Sequence, residues 1–188
     1  MNSKKTCTAL LLCLAMLCTL SAAWAESSDI DVLLRNLSWD ASKDEIITEE
    51  SIAAQDVQTN TDEILITLKQ TDSFQYRGRY TFKDGKLAKY SFMITGSDVK
   101  ENTTEHYLEL FQKVLSRIEK ETAEAIEVEA SYKNIAAFQT YSGQFLPALD
   151  AEDAELYSYV EYKGASCTIS FSKDDGNYTL FLYYVPLS

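Results

Sequence analysis

Apolar and polar residues alternate along the last part of the chain, in the segment "YSYVEYKGASCTISFSKDDGNYTLFLYYVP". A period of two is typical of strands that bury one face, so we predict two or three strands around a turn. A four-residue loop at residues 173–176 would pair Phe171 with Tyr178. Eight residues then share one face: Ala165, Cys167, Ile169, Phe171, Tyr178, Leu180, Leu182 and Tyr184.

A second hairpin is predicted at residues 80–92, "YTFKDGKLAKYSF". An Asp-Gly pair normally indicates a two-residue turn, but that register would put the aromatic residues of the two strands on opposite faces. A three-residue loop at residues 83–85, with Gly85 left-handed and a bulge, pairs Tyr80 with Ala88 and brings them to one face. Because a one-residue slip moves a whole strand's side chains across the sheet, the pattern favours the three-residue loop.

The rest of the chain carries weaker strand signals. "EILITLKQ" alternates with Ile64, Ile66 and Leu68 on one face, which predicts a strand. Strands are also predicted over residues 125–132 and 136–141. The segment around Pro147 is predicted to be a loop with at most a helical turn.

Two helices are predicted from capping signals and periodicity. Ser42 with Glu45 three residues later can form a capping box at the start of a short helix. Asn102 with Glu105 can do the same for a long helix in "ENTTEHYLELFQKVLSRIEKETAE". That helix presents an apolar stripe at helical spacing, made of Tyr107, Phe111, Val114, Leu115 and Ile118.

The two hairpins resemble each other. Each has a Tyr-basic-Gly start, an aromatic residue before an Asp-Gly turn and an aromatic return strand. We therefore predict an α+β fold of two diverged α-β-β-β halves, residues 26–100 and 101–188, which form one antiparallel sheet with helices on one face. Chance similarity between two hairpins is the alternative.

The first 25 residues indicate an export signal. Lys4 and Lys5 precede an apolar run at residues 8–20, and Ala23-Trp24-Ala25 has small residues where a signal peptidase cleaves. We predict cleavage after Ala25 and a secreted or extracytoplasmic protein with no transmembrane segment after cleavage. An uncleaved anchor is the alternative, although anchors usually have about 20 apolar residues.

Cleavage would change the charge and the cysteine content. Since the signal removes two lysines and no acidic residue, the net charge would go from −12 to about −14. Such an acidic chain repels nucleic acid, which excludes a nucleic-acid-binding class. Three of the four cysteines leave with the signal, so Cys167 has no partner for an internal disulfide.

Catalytic and metal-binding motifs are weak. One histidine, His106, and Cys167 could form a Cys-His pair, but the alternation puts Cys167 on the apolar face, where a thiol is inert. The acidic run at residues 150–155 lacks the Gly that calcium loops place at the bend, and we predict no metal, no cofactor and no catalytic residue. A pair of carboxylates acting as a hydrolase is the least favoured function.

The last strand is apolar on both faces, which is unusual for a sheet with helices on one side. If Leu180, Leu182 and Tyr184 face the helices, the intervening residues face outward. Aromatic residues dominate interface cores, so we predict a partner-binding surface on the open face, with a locally basic flank. Its predicted members are Phe181, Tyr183, Val185, Arg77, Arg79, Lys89 and Met93. The alternatives are that the segment 139–156 covers this face or that a homodimer does.

Three segments resemble a group of uncharacterised secreted proteins of Gram-positive bacteria: "LRNLSWDASKDEIITEE", "YTFKDGKLAKYSF" and "NTTEHYLELFQKVL". The group has a Trp-Gly-x-Ser-x-x-Glu-Val-like helix start, where this chain has Asp40 in place of Gly, followed by a Tyr-x-Phe-x-x-x-Lys-Leu hairpin. Its shape is similar to the tandem helix-plus-sheet fold of the β-lactamase inhibitor proteins and of small outer-membrane assembly lipoproteins. The resemblance implies a fold and a binding habit, but no catalytic residue.

These observations favour a secreted, non-enzymatic module that binds a protein or peptide, in the manner of an inhibitor, through the open face of the sheet. The alternative is a carrier for a small apolar or aromatic ligand, which would require a closed pocket. An open aromatic face favours the first function.

Overall fold

The computed structural model describes residues 28–96 and 102–187, so the predicted signal peptide, including Lys4, Lys5 and Ala25, lies outside the described residues. The helices are α1 (Ser28–Asp31), α2 (Lys43–Glu49), α3 (Thr104–Thr122), α4 (Ile135–Thr140) and α5 (Phe145–Asp150). The strands are β1 (Val57–Asn60), β2 (Ile64–Gln70), β3 (Gln75–Lys83), β4 (Lys86–Thr95), β5 (Glu129–Tyr132), β6 (Ala154–Tyr162), β7 (Ala165–Asp174) and β8 (Asn177–Pro186).

All eight strands form one antiparallel sheet in the order β1-β2-β3-β4-β8-β7-β6-β5. The first four strands follow chain order, and the last four follow in reverse, so β4 and β8 meet at the centre. The predicted α+β class with an antiparallel sheet is confirmed, and the relation of the two halves as diverged repeats stays a prediction. No helix among the described residues is long and apolar enough to cross a membrane.

The hydrophobic core lies on one face of the sheet, which we call the core face. Helix α3 buries the predicted stripe against it, with Leu110 added. Helix α5 buries Phe145, Ala148 and Leu149 in the same cluster. The segment before α2 crosses this face as well, because the hydroxyl of Tyr184 donates to the carbonyl of Leu33 at 2.7 Å.

The first hairpin has a shorter turn than predicted, with its bulge inside the strand. Asp84 and Gly85 form a two-residue turn with φ values of 52° and 77°, as a type I′ turn requires. Phe82 pairs with Leu87, and the register then shifts so that Tyr80 pairs with Tyr90. The aromatic residues therefore share the core face, as predicted, but the predicted three-residue loop and the pairing of Tyr80 with Ala88 are wrong.

The second hairpin also turns on two residues, Asp175 and Gly176, with φ values of 48° and 75°. Phe171 pairs with Leu180 and not with Tyr178, so the predicted four-residue loop is wrong. The error is two residues in register, which leaves every side chain on its face. All eight residues predicted for the apolar face are buried.

Two further predictions are corrected. Residues 136–141 were predicted as a strand but belong largely to α4, because the side chain of Asn134 accepts from the amide of Ala137 and caps a helix. Helix α3 begins after Thr103, whose hydroxyl accepts from the amide of His106, and not after Asn102. The polar strand β1 was not predicted. The capping box of Ser42 and Glu45 is confirmed.

Candidate functional site

The face of the sheet opposite the core, which we call the open face, carries all seven residues predicted for partner binding. Two rows of side chains cross the six strands from β2 to β6. In sheet order, the first row holds Leu68, Arg77, Met93, Phe181, Ser170 and Tyr157. The second row holds Ile66, Arg79, Ser91, Tyr183, Thr168 and Tyr159.

Aromatic side chains form the centre of the open face and extend towards β6. The rings of Phe181 and Tyr183 are 6.2 Å apart between centroids and nearly parallel, at 13°. Tyr157 and Tyr159 lie two strands away, with centroids 5.4 Å apart in an edge-on arrangement. Tyr159 is 65% exposed. Four aromatic rings on one solvent-facing surface provide a large contact area at a small loss of side-chain entropy.

The basic flank predicted from sequence lies on β3 and β4. Arg77 is in the row of Phe181, Arg79 is in the row of Tyr183, and Lys89 pairs with Thr81 in the next row. None of these three cations forms an ion pair with a described residue. The buried Nε of Arg77 also has no hydrogen-bond partner in the described part of the chain. Charged donors without partners favour the binding of an anion.

The other end of the open face is acidic. Glu155 and Glu161 lie on β6 on either side of the tyrosine pair, opposite Ser172 and Ser166 of β7. Glu129 on β5 accepts a 2.8 Å hydrogen bond from the hydroxyl of Tyr157, and this bond to a carboxylate raises the pKa of the tyrosine. The open face thus runs from basic to acidic across an aromatic centre.

The segment 139–156 does not cover the open face, which excludes one alternative considered from sequence. Helix α5 packs into the core, and the carboxylate of Asp150 accepts 2.7 Å hydrogen bonds from the hydroxyls of Thr104 and Tyr178. These two bonds lower the pKa of Asp150. Since Tyr178 faces the core, the part of the segment that precedes β6 lies on the core face.

The residues considered for nucleophilic catalysis lie on different elements, Cys167 on β7 and His106 on α3. Cys167 is fully buried on β7, between Val160 and Tyr184, and burial raises the pKa of its thiol to about 12. His106 is in the first turn of α3 and packs edge-on against Tyr107. A thiol that stays protonated at neutral pH is a poor nucleophile. Among the described residues, no group of three or more His, Cys, Asp or Glu could hold a metal ion.

A buried polar cluster on the core face was not predicted. Glu50 is 7% exposed, forms an ion pair with Arg35 and accepts a 3.2 Å hydrogen bond from the hydroxyl of Tyr80. Arg35 also lies 4.8 Å from the ring centre of Phe92. Burial raises the pKa of Glu50, although Arg35 and Tyr80 lower it. The cluster joins the segment before α2, through Arg35, and the end of α2, through Glu50, to the sheet.

Two concave regions bear on the carrier alternative. The larger, about 580 Å³, follows α2 and is lined by Ser38, Asp40, Ala41, Asp44, Glu45, Thr48 and Glu49. The smaller, about 200 Å³, is lined by Ser131, Lys133, Ala154, Glu155, Ser172 and Lys173. Ligand pockets are clefts of about 300–1,000 Å³ that enclose most of the ligand, whereas the larger region is open to solvent and the smaller one is below this size.

Sequence reasoning missed half of the open face. Tyr157 and Tyr159 alternate with the buried Leu156 and Ser158, a signal that could have assigned them to this face. The sequence predicts the stripe of Ile64, Ile66 and Leu68 but does not show whether it faces the core or solvent. The buried partners on β2 are Leu65 and Thr67, so the stripe belongs to the open face.

No family model matches the chain, and neither a curated protein nor a solved structure matches it. The likeness to secreted proteins of Gram-positive bacteria therefore rests on sequence motifs alone.

Proposed function

We propose that the chain is a non-enzymatic binding module that holds a protein or peptide on the open face of its sheet, and that the bound segment carries acidic and aromatic or aliphatic side chains. The observation that carries the proposal is the row Arg77–Met93–Phe181, in which an unpaired guanidinium lies beside an apolar centre. An inhibitor-like action would follow if the bound segment belonged to an enzyme.

The charge of the molecule supports this choice of partner. Most of the protein repels acidic ligands, because the chain has 29 acidic and 17 basic residues. Arg77, Arg79 and Lys89 make β3 and β4 a local exception. A carboxylate placed there gains a charge-assisted hydrogen bond, and its apolar neighbours can cover Phe181 and Tyr183. The openness of the larger concave region and the small volume of the other disfavour the carrier alternative.

The proposal includes an extracytoplasmic location. Its support is the signal-like composition of the first 25 residues, with Lys4 and Lys5 before the apolar run and Ala25 at the expected cleavage site. Amino-terminal sequencing of the protein from the culture medium would test cleavage after Ala25. An intact amino terminus on protein that an added protease cannot reach in whole cells would contradict the location.

Selection from a library of random displayed twelve-residue peptides tests the binding function. The immobilised target begins at Glu26 and so keeps every described residue. We expect enriched peptides to combine Asp or Glu with aromatic residues, and to bind at least tenfold more weakly to the Phe181→Ala, Tyr183→Ala double variant.

Phe138→Ala is the matched control, because Phe138 is an exposed aromatic residue on α4, away from the open face. This variant should bind the selected peptides like the unmodified protein. A selection that yields no binder, or binders that tolerate the double variant, would overturn the proposal.

A further inference from the structure

The open face has a pattern that fits a second copy of itself. From β2 to β6 it presents an aliphatic stripe, a basic strand, an apolar centre and a tyrosine pair flanked by glutamates. β2 is the second strand from one edge of the sheet, and β6 is the second strand from the other edge. The aliphatic stripe on β2 can therefore lie over the tyrosine pair on β6 of a second copy, while the basic strand lies near the glutamates of that copy.

We infer that two copies of the chain pack their open faces together about a two-fold axis that runs along the strands between β4 and β8. This operation places β2 of one copy over β6 of the other. Ile66 and Leu68 then meet the rings of Tyr157 and Tyr159. Two antiparallel sheets packed face to face in this way form a sandwich about 10 Å thick.

The charges select this axis over a perpendicular one. With the axis along the strands, β3 faces the partner's β7, and the long side chains of Arg77 and Arg79 reach the neighbouring β6, which carries Glu155 and Glu161. With the axis across the strands, β3 would face β3, and like charges would oppose each other. Such like-charge contacts are destabilising.

The available area is sufficient for a stable dimer. Strands about 4.8 Å apart and about 3.4 Å per residue along each strand give roughly 800 Å² for six strands and four rows of outward side chains. Stable interfaces bury about 800 Å² per partner. Residues at the centre of this area, Met93, Phe181 and Tyr183, are half-buried in the single chain and would be fully covered.

The inference rests on the same face as the proposed function and adds regulation to it. A second copy occupies the face when no partner is bound, so partner binding and dimerisation are competitive. Because both events use Phe181 and Tyr183, substitutions at those positions cannot separate them. Substitutions at the acidic end can separate the two events, because Glu155 and Glu161 take part in the dimer and lie away from the basic flank that the peptide uses.

Sedimentation velocity of the chain beginning at Glu26, over a range of concentrations, tests the inference by charge reversal. We expect the unmodified chain to be dimeric, and both Arg77→Glu, Arg79→Glu and Glu155→Lys, Glu161→Lys to be monomeric. An equal mixture of the two variants should recover a dimer that contains one copy of each. Such recovery requires opposite charges to meet between copies and would not follow from a loss of folding.

Other outcomes have defined meanings. An unmodified chain that is monomeric at all concentrations, or a mixture that stays monomeric, overturns the dimer and leaves peptide selection by the open face unaffected. A dimer that forms as described, while no peptide is selected even by the monomeric Glu155→Lys, Glu161→Lys variant, overturns the proposed function alone. Exposed apolar residues outside the face supply a control, and Ile135→Ser on α4 should leave the dimer intact.

Discussion

The two faces of the sheet use the same residue types in different ways. On the core face, tyrosine hydroxyls bond to fixed acceptors: Tyr184 donates to the carbonyl of Leu33, and Tyr90 donates to that of Arg35 at 3.0 Å. On the open face, Phe181 and Tyr183 stack on each other, and Tyr159 projects into solvent. Aromatic residues thus stabilise the fold on one face and remain available for contacts on the other.

The two faces should differ most in how much stability the protein loses when an aromatic ring is removed. Phe92 is fully buried and contacts the rings of Tyr76, Tyr80 and Tyr184. Phe92→Ala should lower the free energy of unfolding by about 3–5 kcal/mol. Phe181→Ala should lower it by less than about 1 kcal/mol, because solvent already reaches the ring.

Urea unfolding at a concentration where the chain is monomeric measures both values. At higher concentration, dimerisation would add stability to the unmodified protein and exaggerate the effect of Phe181→Ala. Equal losses in the monomer would contradict the distinction between the two faces.

Neighbouring tyrosines in β8 provide a smaller and more closely matched test. Tyr184→Phe removes one hydroxyl and leaves the buried carbonyl of Leu33 without its donor, which should lower the free energy of unfolding by about 1–3 kcal/mol. Tyr183→Phe removes the same atom from the open face, where water can replace it, and should change stability by at most about 0.5 kcal/mol. Thermal unfolding of the two variants beside the unmodified protein measures the difference, and a larger loss for Tyr183→Phe would reverse the comparison.

The smallest expected effect concerns pH and the buried Glu50. Because burial raises its pKa in the folded protein above the ordinary value of 4.5, the folded state binds more protons than the unfolded state between those two values. Stability of the unmodified protein should therefore fall, relative to Glu50→Gln, as pH rises through that window. The slope cannot exceed about 1.4 kcal/mol per pH unit for one group.

Unfolding free energies measured from pH 4 to pH 8 should show the advantage of Glu50→Gln growing with pH and then levelling. Glu161→Gln, measured where the chain is monomeric, removes one carboxylate from the exposed open face and is the control for a change of charge alone. If the difference between Glu50→Gln and the unmodified protein is constant across the range, Glu50 does not titrate as its burial requires.

The sequence predicted faces better than it predicted turns. Alternation with period two, together with the need to bury large apolar side chains, places Phe82 and Tyr90 on one face. The loop itself is decided by local backbone conformation. Asp84 accepts a left-handed φ of 52°, and the extra residue required by the pattern is accommodated by a bulge at Ala88 instead of in the loop.

The unpredicted features depend on contacts between distant residues. Neither Glu50 nor Arg35 belongs to a periodic apolar pattern, so the sequence does not indicate that they pair. They meet only because the segment before α2 lies across the sheet. Strand β1 is polar and exposed at an edge, so it leaves no apolar alternation. On the open face, the aromatic excess of β8 pointed to Phe181 and Tyr183, but the role of Ile66 required knowing that Leu65 is buried.

The position of β8 at the centre of the sheet has a consequence for the order in which the protein can fold. This strand follows the other seven described strands along the chain, yet it supplies the pairing between β4 and β7 and the hydroxyl that binds the carbonyl of Leu33, 151 residues earlier. During synthesis, one edge of β4 therefore remains unpaired until β8 is made. Folding dominated by such distant contacts is slow, so the sheet is completed only when β8 joins its two halves.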